Sequence, residues 1–310
     1  MSSREMLSSR RGTIIKRRSI QRVCCGLVSL GGLLVAVFVS GCLLTPAVET
    51  KLGDTTISGK VTWSGTVRIN GIVTVKKEGQ LIIAPGTEVI FDRFDRDGDG
   101  IGDGELLVEG TLLARGTAGQ PIRFTSGEEN PQPADWKYLY LDFAKRAEVA
   151  YVISEYAYSG IQVHFCKAVV ANSVFRHNVD GVRFSTVNIK VRGNRIYDNR
   201  HGLRYEERRS EAVVVGNDIR NNDIGIFVVT RSEDKAKISG NNIVDSRQYA
   251  VKMGLTQKED VTFPGNWWGT TNPAAIEELM FDQKQDETLG RVQTPDSLPG
   301  PMEIETELRE

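Results

Sequence analysis

The stretch GNRIYDNRHGL at residues 193–203 returns as GNDIRNNDIGI at residues 216–226. Aligned on the turn glycine, SVFRHNVDGVRF, NRIYDNRHGLRY and NDIRNNDIGIFV begin at Ser173, Asn194 and Asn217, and NIVDSRQYAVK follows at Asn242 without the glycine. A period of 21 to 24 residues lies in the range of stacked repeat architectures, in which one repeat cannot bury its own apolar face. The function of such a chain is read from columns across repeats and not from linear motifs.

The columns make chemical sense one by one. Phe175, Ile196, Ile219 and Ile243 form one apolar column, and Val182, Leu203 and Ile226 form another. Between them stand Asn178, Asn199 and Asn222. Asparagine tolerates the left-handed backbone of a corner, and its amide can bond the copies above and below. Gly160, Gly181, Gly202 and Gly225 mark positions where a Cβ has no room or φ is positive. From residue 55 on, short β-type runs are broken by Gly, Asn and Pro, and helical periodicity is lacking until after Thr270. An all-β, three-sided parallel β-helix meets these demands.

This repeat resembles the right-handed parallel β-helix family of pectate-lyase-like fold, in the subgroup found among bacterial surface lipoproteins. The likeness covers roughly residues 55–295. GIVTVKKEGQLIIAPGTEVIF, ELLVEGTLLARGTAGQPIRFTS and DWKYLYL resemble the opening rungs, and GNWWGTTNPAAIEELMFDQ resembles the terminator. In the terminator, Asn272-Pro273 predicts a short C-terminal capping helix through about Asp282, with Trp267 and Trp268 packed beneath it. The expected organisation is a signal peptide over 1–41, a tether over 42–54, the β-helix over 55–270, the capping helix and turn over 271–290, and a flexible tail over 291–310. At strand spacing near 4.8 Å, about nine or ten rungs give a rod of roughly 45 Å.

Residues 1–41 carry seven Lys or Arg and a single acid, Glu5. Removing them from totals of 39 and 40 leaves 32 basic against 39 acidic residues, a balance that argues against a nucleic-acid partner. The basic segment runs into an apolar stretch over 23–42, the layout of an export signal. It is also long enough to span a bilayer as an uncleaved anchor. Val39-Ser40-Gly41-Cys42 resembles the lipobox of bacterial lipoproteins, which implies lipid on Cys42 as the mature N-terminus and a membrane partner. Leu43 in place of Asp favours the outer membrane by that resemblance, with the domain in the cell envelope, facing the periplasm or the surface. Cys24 and Cys25 leave with the signal, so Cys166 has no disulfide partner.

Two stretches point to chemistry. In DRDGDGIGDGEL, residues 95–106, Asp95, Asp97, Asp99, Ile101 and Asp103 fall at positions 1, 3, 5, 7 and 9 of an EF-hand-like loop with Gly100 at position 6. Position 12 is Leu106, with Glu105 one residue early, and a strand-like run precedes the loop instead of a helix. The expectation is a Ca²⁺ loop inserted between two rungs; the plain alternative is a solvated acidic turn. A shift of 21 residues places His177 over Asp198 and Asp180 over His201, with Arg176, Arg183, Arg200 and Arg204 around them. An imidazole beside a carboxylate suits acid–base work on an acidic sugar, although turn-flanking positions are polar in any solenoid. His164 and Cys166 read as structural.

The Asn-Thr-Asp and Asp-Asp patterns of the fold's hydrolases do not occur in the chain. The fold's lyases need acidic Ca²⁺ ligands on a strand face, whereas Asp95 to Asp103 form a loop. The sequence therefore points to a lipid-anchored binding or scaffold module for a glycan or envelope protein. The alternative is a polysaccharide lyase, hydrolase or epimerase that uses His177, Asp180, Asp198 and His201.

Overall fold

Each turn of the chain places one short strand in each of three sheets, and the next turn repeats the circuit one layer up. In the computed structural model, residues 49–206, 211–230, 235–304 and Leu308 are described. The first sheet stacks nine strands from Thr50–Leu52 to Asn242–Val244, the middle sheet ten from Thr55–Ile57 to Met280–Phe281, and the third sheet eight from Lys60–Trp63 to Lys237–Ile238. All of these strand pairs are parallel, such as Val67 beside Val89 and Leu81 beside Leu112. The result is a right-handed parallel β-helix, the hand that twisted strands impose on parallel crossovers.

Alternation builds the core. In Thr66–Ile69, Ile72–Val75 and Gln80–Ile83 every second residue is buried, and Val67, Ile69, Val73, Val75, Leu81 and Ile83 all point into the same interior. Above them the apolar columns stand in register: Phe175 on Ile196, Ile196 on Ile219, Ile219 on Ile243, each fully buried. Val182, Leu203 and Ile226 do the same in the middle sheet and continue to Val251. Every layer thus roofs the one below.

The corners are held by two amide ladders. Asn178 Nδ2 donates to Asn199 Oδ1 at 3.0 Å, and Asn199 Nδ2 to Asn222 Oδ1 at 3.0 Å. A second ladder, at the corner between third and first sheets, links Asn194, Asn217, Asn241 and Asn266 through contacts of 2.9, 2.9 and 3.0 Å. All seven asparagines are buried, which an unpaired amide could not sustain. Close approach explains the glycine column. A Cβ on Gly181 would lie 2.7 Å from the Gly202 carbonyl oxygen and 2.8 Å from Ile196 Cγ2.

Three expectations need correction. The tether does not extend to residue 54, because Thr50–Leu52 already pairs with Val67, Arg68 and Ile69. The helix spans only Pro273–Glu278, with Asn272 as its cap, and the chain then returns to the middle sheet, where Met280 pairs with Val251. Burial of Met280 in that last layer outweighs the four further residues of helix that were expected. The stretch after residue 290 is not loose in its described part. Val292 pairs with Val261, Met302 and Asn242 exchange two hydrogen bonds of 2.8 and 2.9 Å, and Leu308 packs with Ile153 and Val174. Its prolines prevent a regular ladder, but the Asn242 amide replaces one locally. The signal peptide, Cys42 and most of the tether lie outside the described residues.

Candidate functional site

The outer face of the middle sheet collects the polar and aromatic side chains that the interior excludes. Register stacks Gln162, Arg183, Arg204, Phe227 and Lys252 in one outward column. Asp180, His201, Ile224 and Tyr249 form the next. The glycine column creates this pairing of columns. Gly181 and Val182 both occupy the inner side, so the strand bulges and turns Asp180 and Arg183 outward together.

At the centre, His201 Nδ1 lies 2.7 Å from Asp180 Oδ1. Asp180 is fully buried and His201 is 7% exposed. Because a carboxylate only accepts, the imidazole donates from Nδ1, and its Nε2 has no protein partner among the described residues. The other Asp180 oxygen takes Arg204 Nη1 at 3.4 Å and faces Arg183 Nη1 at 3.8 Å. The His201 ring stacks on Phe227 at 4.9 Å and 17°. These two residues line a groove of about 440 Å³ together with Tyr158, Arg200, Lys252 and Phe281. Arg200 and Lys252 make no ion pair with a carboxylate among the described residues, and Lys252 sits 5.0 Å from the centre of the Phe281 ring. An apolar aromatic floor under unpaired cations suits an anionic ligand with an apolar face.

The other half of the expected set does not assemble. His177 and Asp198 both sit at corners in the left-handed backbone region, φ 55° and 54°. Their contact is between main chains, His177 N–H to the Asp198 carbonyl at 3.1 Å. The His177 ring stacks on Tyr156, and the Asp198 carboxylate takes Arg247 Nη2 at 3.1 Å. A one-period shift correctly places residues one above another, but at a corner the side chains splay apart.

Lower on the same face, sequence reading overlooked a second polar cluster. Tyr140 Oη lies 3.1 Å from His164 Nδ1. Burial, followed by the nearby Arg183 charge, pushes the His164 pKa down to about 4, and burial followed by the Asp142 charge pushes Tyr140 up to about 12. Both groups are therefore neutral across the physiological range. Gln162 Oε1 and Arg204 Nε are buried without a partner on this face. The signal was present: Gln162 precedes Arg183 by the same 21 residues that separate Arg183 from Arg204. Cys166 is buried and its thiol is pushed up to about 11 by burial.

The acidic loop folds on itself between the first and middle sheets. Asp95 accepts from Gly98 N–H at 2.7 Å and Gly100 N–H at 2.9 Å, Asp97 from Asp99 N–H at 3.2 Å, and Asp99 from Ile101 N–H at 2.8 Å. One oxygen from each of Asp95, Asp97 and Asp99 lies within 4.8 Å of the others. Asp103 turns instead to the Arg96 N–H at 2.7 Å and to Lys137 Nζ at 3.5 Å. Glu105 begins the strand Glu105–Val108 and stands apart from the three aspartates. Burial raises its pKa to about 7, with Lys137 opposing and Asp103 and Asp142 adding to the rise. Three of the five expected carboxylates thus converge.

No curated protein and no solved structure matches the chain. A family model described as "Periplasmic copper-binding protein (NosD)" matches residues 112–278, which run from the third rung into the capping helix and include the His201–Asp180 pair. By that match over more than half its length, the chain belongs to the NosD family of periplasmic proteins.

Proposed function

We propose that this protein is an exported β-helix, anchored by lipid on Cys42 in the outer membrane, that binds an anionic carbohydrate of the cell envelope along the outer face of its middle sheet. The observation that carries this reading is the 440 Å³ groove in which Phe227 and Phe281 form the floor and Arg200 and Lys252, neither paired with a carboxylate among the described residues, supply the positive charge. Aromatic faces hold the apolar face of a sugar ring, and a cation with no carboxylate of its own favours a ligand that brings one. Binding of the full-length chain to polygalacturonate and to uncharged dextran tests it. The expected result is retention by the acidic polymer only, weakened by salt and reduced about tenfold or more by Phe227→Ala or Lys252→Ala. Equal retention by both polymers, or by neither, rejects it. Mass spectrometry for diacylglycerol on Cys42 tests the anchor.

Two metals bear on the same reading. Asp95, Asp97 and Asp99 offer hard oxygen donors suited to Ca²⁺, and in this proposal the ion fixes the loop through those three ligands and the Ile101 carbonyl that the loop spacing suggests, while Asp103, turned to Arg96 and Lys137, and Glu105 on its strand stay outside the set. A melting temperature unmoved by calcium or chelator rejects the ion. Copper, which the family description names, asks for converging His, Cys or Met donors. Among the described residues, His164 contacts Tyr140, His177 stacks on Tyr156, His201 is held by Asp180, and the Cys166 thiol faces the Leu141 carbonyl at 3.9 Å. These histidines and the cysteine do not converge on one point, so the described residues show no copper centre built from them, and no step of the proposed function passes through that metal.

A further inference from the structure

Two phenylalanines break the rule by which this chain turns its corners. Where the middle sheet passes to the third, Phe143 and Phe165 sit in the left-handed backbone region, each at φ 51°, with Thr186 at φ 51° on the next turn. The main chain stacks them: Phe143 N–H donates to the His164 carbonyl at 3.2 Å, and Phe165 N–H to the Thr186 carbonyl at 3.1 Å. A bulky residue at positive φ is strained, and such strain points to a use for the side chain. Apart from Ala134, every other non-glycine residue at positive φ among the described residues carries a polar atom suited to an exposed corner. The two phenylalanines carry none, yet they stand 59% and 49% exposed.

The neighbouring side chains leave them open and make the patch basic. The rings stack on one another at 4.7 Å and 14°, and the His164 ring meets Phe165 edge-on at 6.0 Å. In Phe-Ala-Lys at 143–145 and Phe-Cys-Lys at 165–167, the middle residue is buried and the lysine exposed. Neither Lys145 nor Lys167 has a carboxylate partner among the described residues. Glu148, on the strand Arg146–Ala150, is taken by Arg115 and Arg146. Asp142 lies against Tyr140 with one oxygen buried. An apolar pair flanked by free cations thus stands on a domain with an excess of acids.

The make-up of the patch selects its partner. A sugar platform needs open ring faces, and here each phenylalanine covers one face of the other. Protein interfaces favour tyrosine, tryptophan and arginine and are poor in lysine. Phenylalanine flanked by lysine is the pattern of a surface that dips into a bilayer, with rings at the acyl boundary and ammonium groups among the phosphates. The chain also brings a membrane within reach. The apolar run ends at Cys42 and the first strand begins at Thr50, so 50 − 42 = 8 residue steps join them, at most about 29 Å when extended. Phe143 and Phe165 precede the fourth and fifth strands of the third sheet, Arg146–Ala150 and Lys167–Ala171, about 14 and 19 Å above its first strand. Both heights fall within that span.

We propose that the Phe143–Phe165 corner is a second membrane contact, which docks the β-helix on anionic phospholipid with the two rings in the interface and Lys145 and Lys167 at the phosphates. The inference rests on the membrane anchoring proposed above and adds to it the face that meets the bilayer. One anchor leaves the domain free to turn, whereas two fix its orientation.

The test uses the full-length protein floated with vesicles of phosphatidylcholine, with or without phosphatidylglycerol, some containing lipid brominated near the top of the acyl chain. Phe165→Trp places a fluorescent ring in the patch, and Val215→Trp places one at an exposed site at the far end of a third-sheet strand. The added emission of Phe165→Trp is expected to be quenched by the brominated lipid in the anionic vesicles, and that of Val215→Trp to be unchanged. In the Phe165→Trp background, Lys145→Gln and Lys167→Gln should each lower the docked-to-undocked ratio about fivefold. Flotation of both tryptophan variants without quenching overturns the corner contact and leaves the anchor standing. Failure of the wild type to float overturns the anchor and the corner contact together. Equal quenching at the two sites, or quenching as strong without phosphatidylglycerol, overturns the assignment of this face to anionic lipid.

Discussion

Replacing Asn217 by alanine tests whether the amide ladders, and not the apolar columns alone, fix the corners. The Asn217 side chain donates to the Val191 carbonyl at 3.0 Å, the Val215 carbonyl at 3.2 Å and Asn241 Oδ1 at 2.9 Å. Its own Oδ1 accepts the Asn194 backbone N–H at 3.0 Å and Asn194 Nδ2 at 2.9 Å. Asn217 and Asn194 are both fully buried, so no solvent can replace these partners without opening the corner. After Asn217→Ala the Asn194 backbone N–H has no acceptor and the Asn194 amide is half satisfied. One stranded buried group costs about 1–3 kcal/mol, and the lost bonds add about 1 kcal/mol each at most. The expected loss is therefore about 4 kcal/mol in a urea titration, with the exposed control Lys190→Ala within about 0.5 kcal/mol. Hydrogen exchange should show the Asn194 amide losing protection ahead of the first rungs, as expected where each layer leans only on its neighbours. The Asn217→Ala/Asn241→Ala double variant should cost less than the sum of the single ones, because the two share a bond. A loss below about 1 kcal/mol for Asn217→Ala, or strict additivity of the pair, would refute the ladder argument.

Gly102→Ala should detach the acidic loop, since the added Cβ would sit 1.8 Å from the Asp135 carbonyl oxygen; a large drop in melting temperature is expected, against little change for the open position Gly98→Ala apart from its own positive φ. His164 should stay neutral down to about pH 4, seen as carbon shifts by NMR. Its depressed folded-state pKa means that its contribution to stability is complete above about 6.5 and is lost as pH falls towards 4, and His164→Gln should flatten the melting temperature over that window. Cys166, buried with its thiol pushed up to about 11, should resist a thiol reagent at pH 8 in the folded protein and react promptly in urea.

The period of the sequence was enough to set the architecture. Phe175, Ile196, Ile219 and Ile243 recur because each must cover the residue one turn below, and that demand is written in spacing alone. Asn178, Asn199 and Asn222 were legible for the same reason, and so was the vertical placement of His201 on Asp180. Tertiary structure decided what spacing cannot encode, namely the direction in which side chains point once stacked. His177 and Asp198 obey the same one-period shift as Asp180 and His201, yet their positive-φ corner backbone sends one to Tyr156 and the other to Arg247. The groove was likewise hidden, because Tyr158, His201, Lys252 and Phe281 lie far apart along the chain and meet only when successive turns settle in register. The same holds for the docked stretch after residue 290, whose proline-rich composition gave no hint that Asn242, two rungs back, would bind the Met302 main chain. Periodicity fixes which residues become neighbours, whereas the local bend of the backbone and the packing around it fix which of those neighbours touch.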